Sequence, residues 1–194
     1  MPYKPEDFGN GQVHVKREAD SGFLFRIDPQ PYGRAVILVQ SAVEPDWNYA
    51  FHNAGYLLAA KPEVKTFEPD FSKGQRFRFR LAANPTRRLS KNSPDAKAES
   101  IGKRVPVPNN KLLDWLDRRA KSGGFSIAEG TTTVSSGYIY INKRGNNGQR
   151  LRSVRYDGVL EVTDPDIFYK TIIRGIGSGK AFGFGLLSVA PVNR

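Results

Sequence analysis

Five glycines fall within the eleven residues 175–185, GIGSGKAFGFG. A stretch with so few side chains is a loop that another surface approaches closely, and its flanks limit what the chain can fold into. Ahead of it, Asp164 and Pro165 form an N-cap and first-turn pair for a helix running to Arg174. Behind it, residues 182–190 read as a strand. Loops that cradle nucleotide phosphates have the opposite order, because a strand must lead in and a helix N-terminus must receive the phosphate. The triphosphate pattern also fails, since Gly179-Lys180 is followed by Ala181 and position 174 is Arg. What remains is either a flexible connector before an edge strand or a loop that approaches a partner.

The rest of the chain reads as α+β. Residues 1–20 are rich in Gly, Pro and charge and are expected to be loop. Residues 23–28 and 34–41 read as two strands joined by a tight connection around Pro29, Pro31 and Gly33. The prolines of residues 44–74 argue against one long helix. In residues 76–82, RFRFRLA, alternation sends Phe77 and Phe79 to a core and Arg76, Arg78 and Arg80 to the opposite face. Residues 86–103 are polar and charged and suggest a domain boundary or a mobile loop. A short strand at 104–107 precedes a helix over 110–121, with Leu112, Leu113, Trp115 and Leu116 on its apolar side and Gly123-Gly124 as its stop. Strands follow at 124–129, 134–142 and 150–162, the last two joined by a Gly/Asn turn at 145–148. Strand, helix, strands, helix, strand is the order of a ferredoxin-like βαββαβ unit. The expected division is therefore an N-terminal domain over 1–95 and a C-terminal domain over 96–194.

The net charge of +11 and a pI near 9.9 favour a polyanionic partner, nucleic acid ahead of an acidic membrane surface. There is no cysteine, so disulfide frameworks and thiolate metal sites are excluded. The sequence suggests neither a cluster of carboxylates and histidines for a metal nor any cofactor. No apolar run reaches the ~20 residues of a membrane span, and residues 1–20 lack a secretory h-region. A cytoplasmic protein with no membrane partner is expected. Positive charge without acidic residues is concentrated at 71–91 (Lys73, Arg76, Arg78, Arg80, Arg87, Arg88, Lys91) and at 141–155 (Lys143, Arg144, Arg150, Arg152, Arg155). Each is either a solvated basic face or a surface for phosphates.

The run GIGSGKAFGFGLLSVAP at 175–191 closely resembles the C-terminal signature of the CasE family, the RNA-processing subunits of the type I-E CRISPR surveillance complex Cascade. Further segments resemble the family in order: FLFRID (23–28) and ILVQS (37–41), FRFRLAANPTRR (77–88), and GKRV (102–105) followed by the Trp115-Leu116 helix. The resemblance implies two tandem ferredoxin-like domains, the first truncated at its N-terminus. It implies binding to the repeat hairpin of CRISPR RNA, with other Cascade subunits as partners. By matching segment it implies RNA contact at Lys103, Arg104 and Lys180, with Gly177 and Gly179 as close-approach positions. Lys143, Arg144, Arg150, Arg152 and Arg155 follow as a regional transfer to a basic hairpin.

Family members cleave precursor CRISPR RNA without metal, using a histidine on the first helix of the first domain. That opening strand and helix have no counterpart here, so the catalytic residues stay unassigned. The two histidines, His14 and His52, match no family position. The resemblance therefore leaves two readings open: an endoribonuclease of the CasE type, or a noncatalytic subunit that anchors the hairpin. A general single-stranded RNA binder using Phe and Arg platforms is disfavoured, because Phe77 and Phe79 read as core.

Overall fold

The structure is a computed structural model that describes residues 3–7, 13–17, 22–48, 52, 55–93, 97–141 and 148–192. It divides into a smaller unit, Met1–Phe23 with Ser41–Asp70, and a larger one, Leu24–Gln40 with Phe71–Arg194. In the smaller unit the expected N-terminal loop contains two strands, β1 (Tyr3–Asp7) and β2 (Val13–Arg17), paired antiparallel from Tyr3↔Arg17 to Asp7↔Val13. Pro5 is tolerated in β1 because a two-stranded ribbon leaves one backbone edge unpaired.

β3 (Phe23–Pro29) and β4 (Ala35–Ser41), which belong to the larger unit except for the end residues Phe23 and Ser41, form a two-stranded sheet, as expected. In the larger unit the main sheet is built around β5 (Arg76–Ala83) and the long strand β10 (Gln149–Val162). The order is β11-β5-β10-β8, with β8 at Phe125–Ile127 and β11 at Leu187–Pro191. A fifth strand, β9 (Thr133–Ile141), pairs with β10 from Gln149↔Ile141 to Asp157↔Thr133. Every pairing in this sheet is antiparallel. Helix α1 (Leu112–Ser122) precedes β8, and α2 (Pro165–Arg174) lies between β10 and β11.

The core is set by alternation. Phe77, Phe79 and Leu81 of β5 and Val154, Tyr156, Leu160 and Val162 of β10 are buried on the helix side, while Arg76 and Arg78 are exposed on the other. Phe168 of α2 centres the aromatic packing, edge-on to Phe71 at 4.7 Å and to Phe125 at 5.5 Å. Asp164 caps α2 by accepting the Ile167 N–H at 3.0 Å.

Several boundaries differ from expectation. Within 86–103, Thr86–Arg88 is a strand, β6, pairing with β7 (Arg104–Pro106). Three residues are too few to produce a readable period. β7 pairs in that ribbon and not in the main sheet, so the strand that opens the larger unit's strand–helix order is β5. β5 and β6 fall in the larger unit. Leu113 is 49% exposed; α1 instead buries Leu112, Trp115, Leu116 and Ala120, the i, i+3, i+4, i+8 stripe. The last strand starts at Leu187, not 182, because Lys180–Phe182 forms a 3-10 turn between the left-handed residues Gly179 and Gly183. Among the described residues, no helix is long and apolar enough to cross a membrane.

Candidate nucleic-acid interface

The glycine-rich loop leaves α2 at Gly175, whose N–H bonds back to the Thr171 carbonyl at 2.8 Å. It is then pinned along its length. The Ile176 N–H donates to the Gly185 carbonyl and the Gly185 N–H to that of Ala82, each at 2.8 Å. Ser178 forms a β-bridge with Asn84, and its hydroxyl lies 3.4 Å from that of Thr86. The loop is therefore seated on the chain where β5 passes into β6. The glycines at 177 and 179 have φ of +84° and +79°, values that side chains disfavour. A Cβ would meet Trp115 at 3.3 Å from position 177 and Phe184 at 2.9 Å from position 179. The close approach that glycine permits here is the protein's approach to itself.

The same seam carries the β6–β7 ribbon. Its register sets Arg88 directly opposite Arg104, both exposed, with Lys103 exposed beside them. Like charges facing each other on one face of a ribbon are mutually destabilising, an arrangement that an anion would relieve. The connection back to the loop is short: Pro85, one residue before β6, accepts the Val107 N–H at 3.0 Å.

The β9–β10 hairpin joins at the same place. The Arg152 guanidinium donates to the Val107 carbonyl and to Asn109 Oδ1, fixing the hairpin to the segment after β7. Further out, the Arg150 guanidinium lies 4.2 Å from the centre of the Tyr138 ring, a cation–π contact of about 0.5–1 kcal/mol at an exposed position. Tyr140, in register with Arg150, is 75% exposed. Inside the sheet, the buried Tyr156 hydroxyl donates to the Leu112 carbonyl at 3.2 Å, and burial raises its pKa above the ordinary tyrosine value.

The expected RNA-contact residues thus separate into groups. Lys103, Arg104, Arg150, Arg152, Gly177 and Gly179 lie on segments joined through the seam of Asn84, Thr86, Val107 and Ser178. The Lys180 ammonium donates to the Arg174 carbonyl, where a cation also suits the C-terminus of α2. Arg155 is elsewhere: strand alternation turns it to the opposite face of β10 from Arg152, where it bridges Asp157 at 2.8 Å. Lys143 and Arg144 lie outside the described residues. His14 is on β2, in register with Glu6, and His52 is exposed; both belong to the smaller unit. Among the described residues, no group of three or more acidic or histidine side chains could hold a metal ion.

Tyr138 and Tyr140 are marked in the sequence only by the alternation YIYI, which does not say which face carries the cations. Arg88 reads in the sequence as one of a basic run, because its opposition to Arg104 depends on a pairing between segments sixteen residues apart.

Comparison with known proteins identifies the family. Residues 8–191 match the family described as CRISPR associated protein. The chain belongs to that family. It is 36% identical to the CRISPR-associated endoribonuclease Cse3 of Thermus thermophilus, over 91% of this chain and 85% of that protein. It is 30% identical to the CRISPR system Cascade subunit CasE of Escherichia coli, over 90% of this chain and 84% of that protein. The solved structure of Thermus thermophilus Cse3 bound to an RNA representing a pre-cleavage complex matches with a TM-score of 0.73 at 35% identity, covering 89% of this chain and 80% of that one. A chain of a CRISPR RNA-guided surveillance complex in its pre-nicking state matches with a TM-score of 0.64 at 25% identity, covering 99% and 84%. The CasE resemblance in the residues and the mixed helix-and-antiparallel-sheet fold are both borne out.

Proposed function

We propose that this protein binds the repeat hairpin of CRISPR RNA as a subunit of Cascade. One observation carries the proposal: three segments far apart in sequence, the glycine loop, the β6–β7 ribbon and the β9–β10 hairpin, are fastened together through Asn84, Thr86 and Val107. On these joined segments Arg88, Lys103 and Arg104 are exposed and have no ion-pair partner among the described residues. The relatives carry matching names, one an endoribonuclease with an RNA-bound structure and one a Cascade subunit.

In this reading Lys103, Arg104 and Arg150 grip phosphates, and Lys143 and Arg144, which follow β9 in sequence, add to the grip. Arginine's planar fork suits phosphate and guanine edges. Arg152 positions the hairpin, and Lys180 extends the grip where the loop, shaped by Gly177 and Gly179, meets α2. Arg155, committed to Asp157 on the other face, contributes to a different surface. An RNA stem offers shape, phosphates and accessible ends more than readable base edges, which is what a row of cations beside an ordered loop recognises. The order β5, α1, β8, β10, α2, β11 supports a ferredoxin-like larger unit, and we propose a second such domain for the N-terminal part. The cytoplasm is the compartment this reading implies.

The test is a titration of a labelled repeat hairpin against an unpaired strand of the same composition, at several salt concentrations. The hairpin should bind more tightly, and log K should fall linearly with log salt as counterions are released. Equal affinity for both RNAs, or affinity that ignores salt, would overturn the proposal.

A further inference from the structure

The sheet face opposite the core carries a second basic surface that the hairpin site does not use. A groove of about 480 Å³ runs over β11, β5 and β10, its walls including Arg26, Arg78, Arg80, Thr131, Asp157 and Ser188. Register stacks these residues in rows. Ser188, Arg80 and Asp157 are cross-strand neighbours, and so are Ala190, Arg78 and Val159.

Most of the charge is already held in place. Arg26, only 6% exposed, donates to both carboxylate oxygens of Asp28 at 2.9–3.0 Å and to Ser188 Oγ at 2.7 Å. Arg80 and Arg155 share Asp157, at 2.6 and 2.8 Å. The hydrogen bond that Arg80 donates to the Asp157 carboxylate raises the Arg80 pKa above its ordinary value. Thr131 Oγ1 donates to the Ala128 carbonyl at 2.7 Å and accepts the Val159 N–H at 3.2 Å. Four arginines on this face therefore meet two aspartates, an excess of two: one belongs to Arg80 and Arg155, which share Asp157, and the other to Arg78. Among the described residues, Arg78 has no hydrogen bond, ion pair or ring partner, and it rises between the small apolar side chains of Val159 and Ala190.

We propose that this groove binds the phosphodiester backbone of an unpaired RNA segment flanking the hairpin, with Arg78 as the phosphate contact. This rests on the hairpin reading and extends it. A fixed arginine framework offers positive potential without having to reorganise, and Val159 and Ala190 provide apolar surface for a sugar or base. A single strand fits a shallow groove that the wider duplex does not enter, and its unpaired bases are free to meet the apolar surface. The position also suits a flank. β5, which carries Arg78, leads directly to Asn84 and Thr86, where the glycine loop is seated, roughly 8 residues or ~26 Å further along.

The test measures anisotropy with three labelled RNAs: the bare hairpin, the hairpin with a ten-nucleotide unpaired flank at either end, and the flank alone. The wild type is compared with Arg78→Ala and Arg78→Lys, an exposed position where substitution leaves the core intact. One flank should tighten wild-type binding about fivefold to tenfold, the scale of one stacked or phosphate-held nucleotide. Arg78→Ala should abolish that gain while bare-hairpin affinity stays within about twofold, and Arg78→Lys should retain part of it. The groove proposal is overturned if neither flank adds affinity to a hairpin that binds, or if Arg78→Ala weakens both hairpins equally. It is also overturned if a polyglutamate peptide competes for the flank as well as RNA does, which would mark an acidic-protein site. If the bare hairpin does not bind at all, the hairpin reading fails, and the flank-alone arm decides this proposal through the same Arg78 comparison.

Discussion

Replacing Arg104 with glutamine separates RNA binding from folding because the two should respond with opposite sign. Arg104 and Arg88 are directly opposed across the β6–β7 ribbon, so their Cβ atoms are ~5 Å apart and their guanidinium groups on the order of 8 Å. Two positive charges at that distance in water repel by about 0.5 kcal/mol, and glutamine removes this while keeping most of the stem. The free protein should gain a few tenths of a kcal/mol, a rise in Tm of about 1 °C for a chain of this size. Binding should move the other way. One lost charge-assisted contact of about 1.5 kcal/mol weakens the hairpin complex roughly tenfold, and the slope of log K against log salt should become shallower by about 0.9. Thermal denaturation and a salt series of anisotropy titrations read both quantities. A Tm lowered by several degrees along with the lost affinity would show that Arg104 supports the fold. An unchanged salt slope would show that it touches no phosphate.

Other outcomes follow from the geometry. Gly177→Ala places a Cβ at φ +84° and 3.3 Å from Trp115, which should cost about 1–2 kcal/mol of stability by denaturant titration; a neutral result would mean that the loop is not seated as described. Asp164→Ala removes the cap on the Ile167 N–H and should cost about 1 kcal/mol, measured in the same way. Tyr156→Phe removes the bond to the Leu112 carbonyl and should cost about 1 kcal/mol at neutral pH. Because burial raises the Tyr156 pKa, the unfolded chain ionises first. Wild-type stability should therefore decline as pH rises above about 10 towards the folded-state value, and the gap to the variant should close there. A gap that stays constant with pH would contradict the burial of that phenol.

The elements that the sequence revealed are those with local causes. The alternation of RFRFRLA put Phe77 and Phe79 in the core because a strand turns successive side chains to opposite faces. Asp164-Pro165 started α2 because an N-cap and a first-turn proline act within one helical turn. The glycine run declared a loop that could not be a nucleotide cradle, since its flanking elements come in the wrong order. The family was legible for a related reason: its signature is contiguous and needs no tertiary information.

What escaped depended on partners distant in sequence. β6 was hidden because three residues become a strand only by pairing with Arg104–Pro106. Arg152 and Arg155 looked alike in one basic run, yet the pleat sends one to the hairpin seam and the other to Asp157. Sequence alone determined that this chain is basic, mixed in helix and strand, and a relative of CasE. Only the tertiary structure decided which basic segments are joined and which cations are already paired, because charge is read from composition but its pairing depends on register and face.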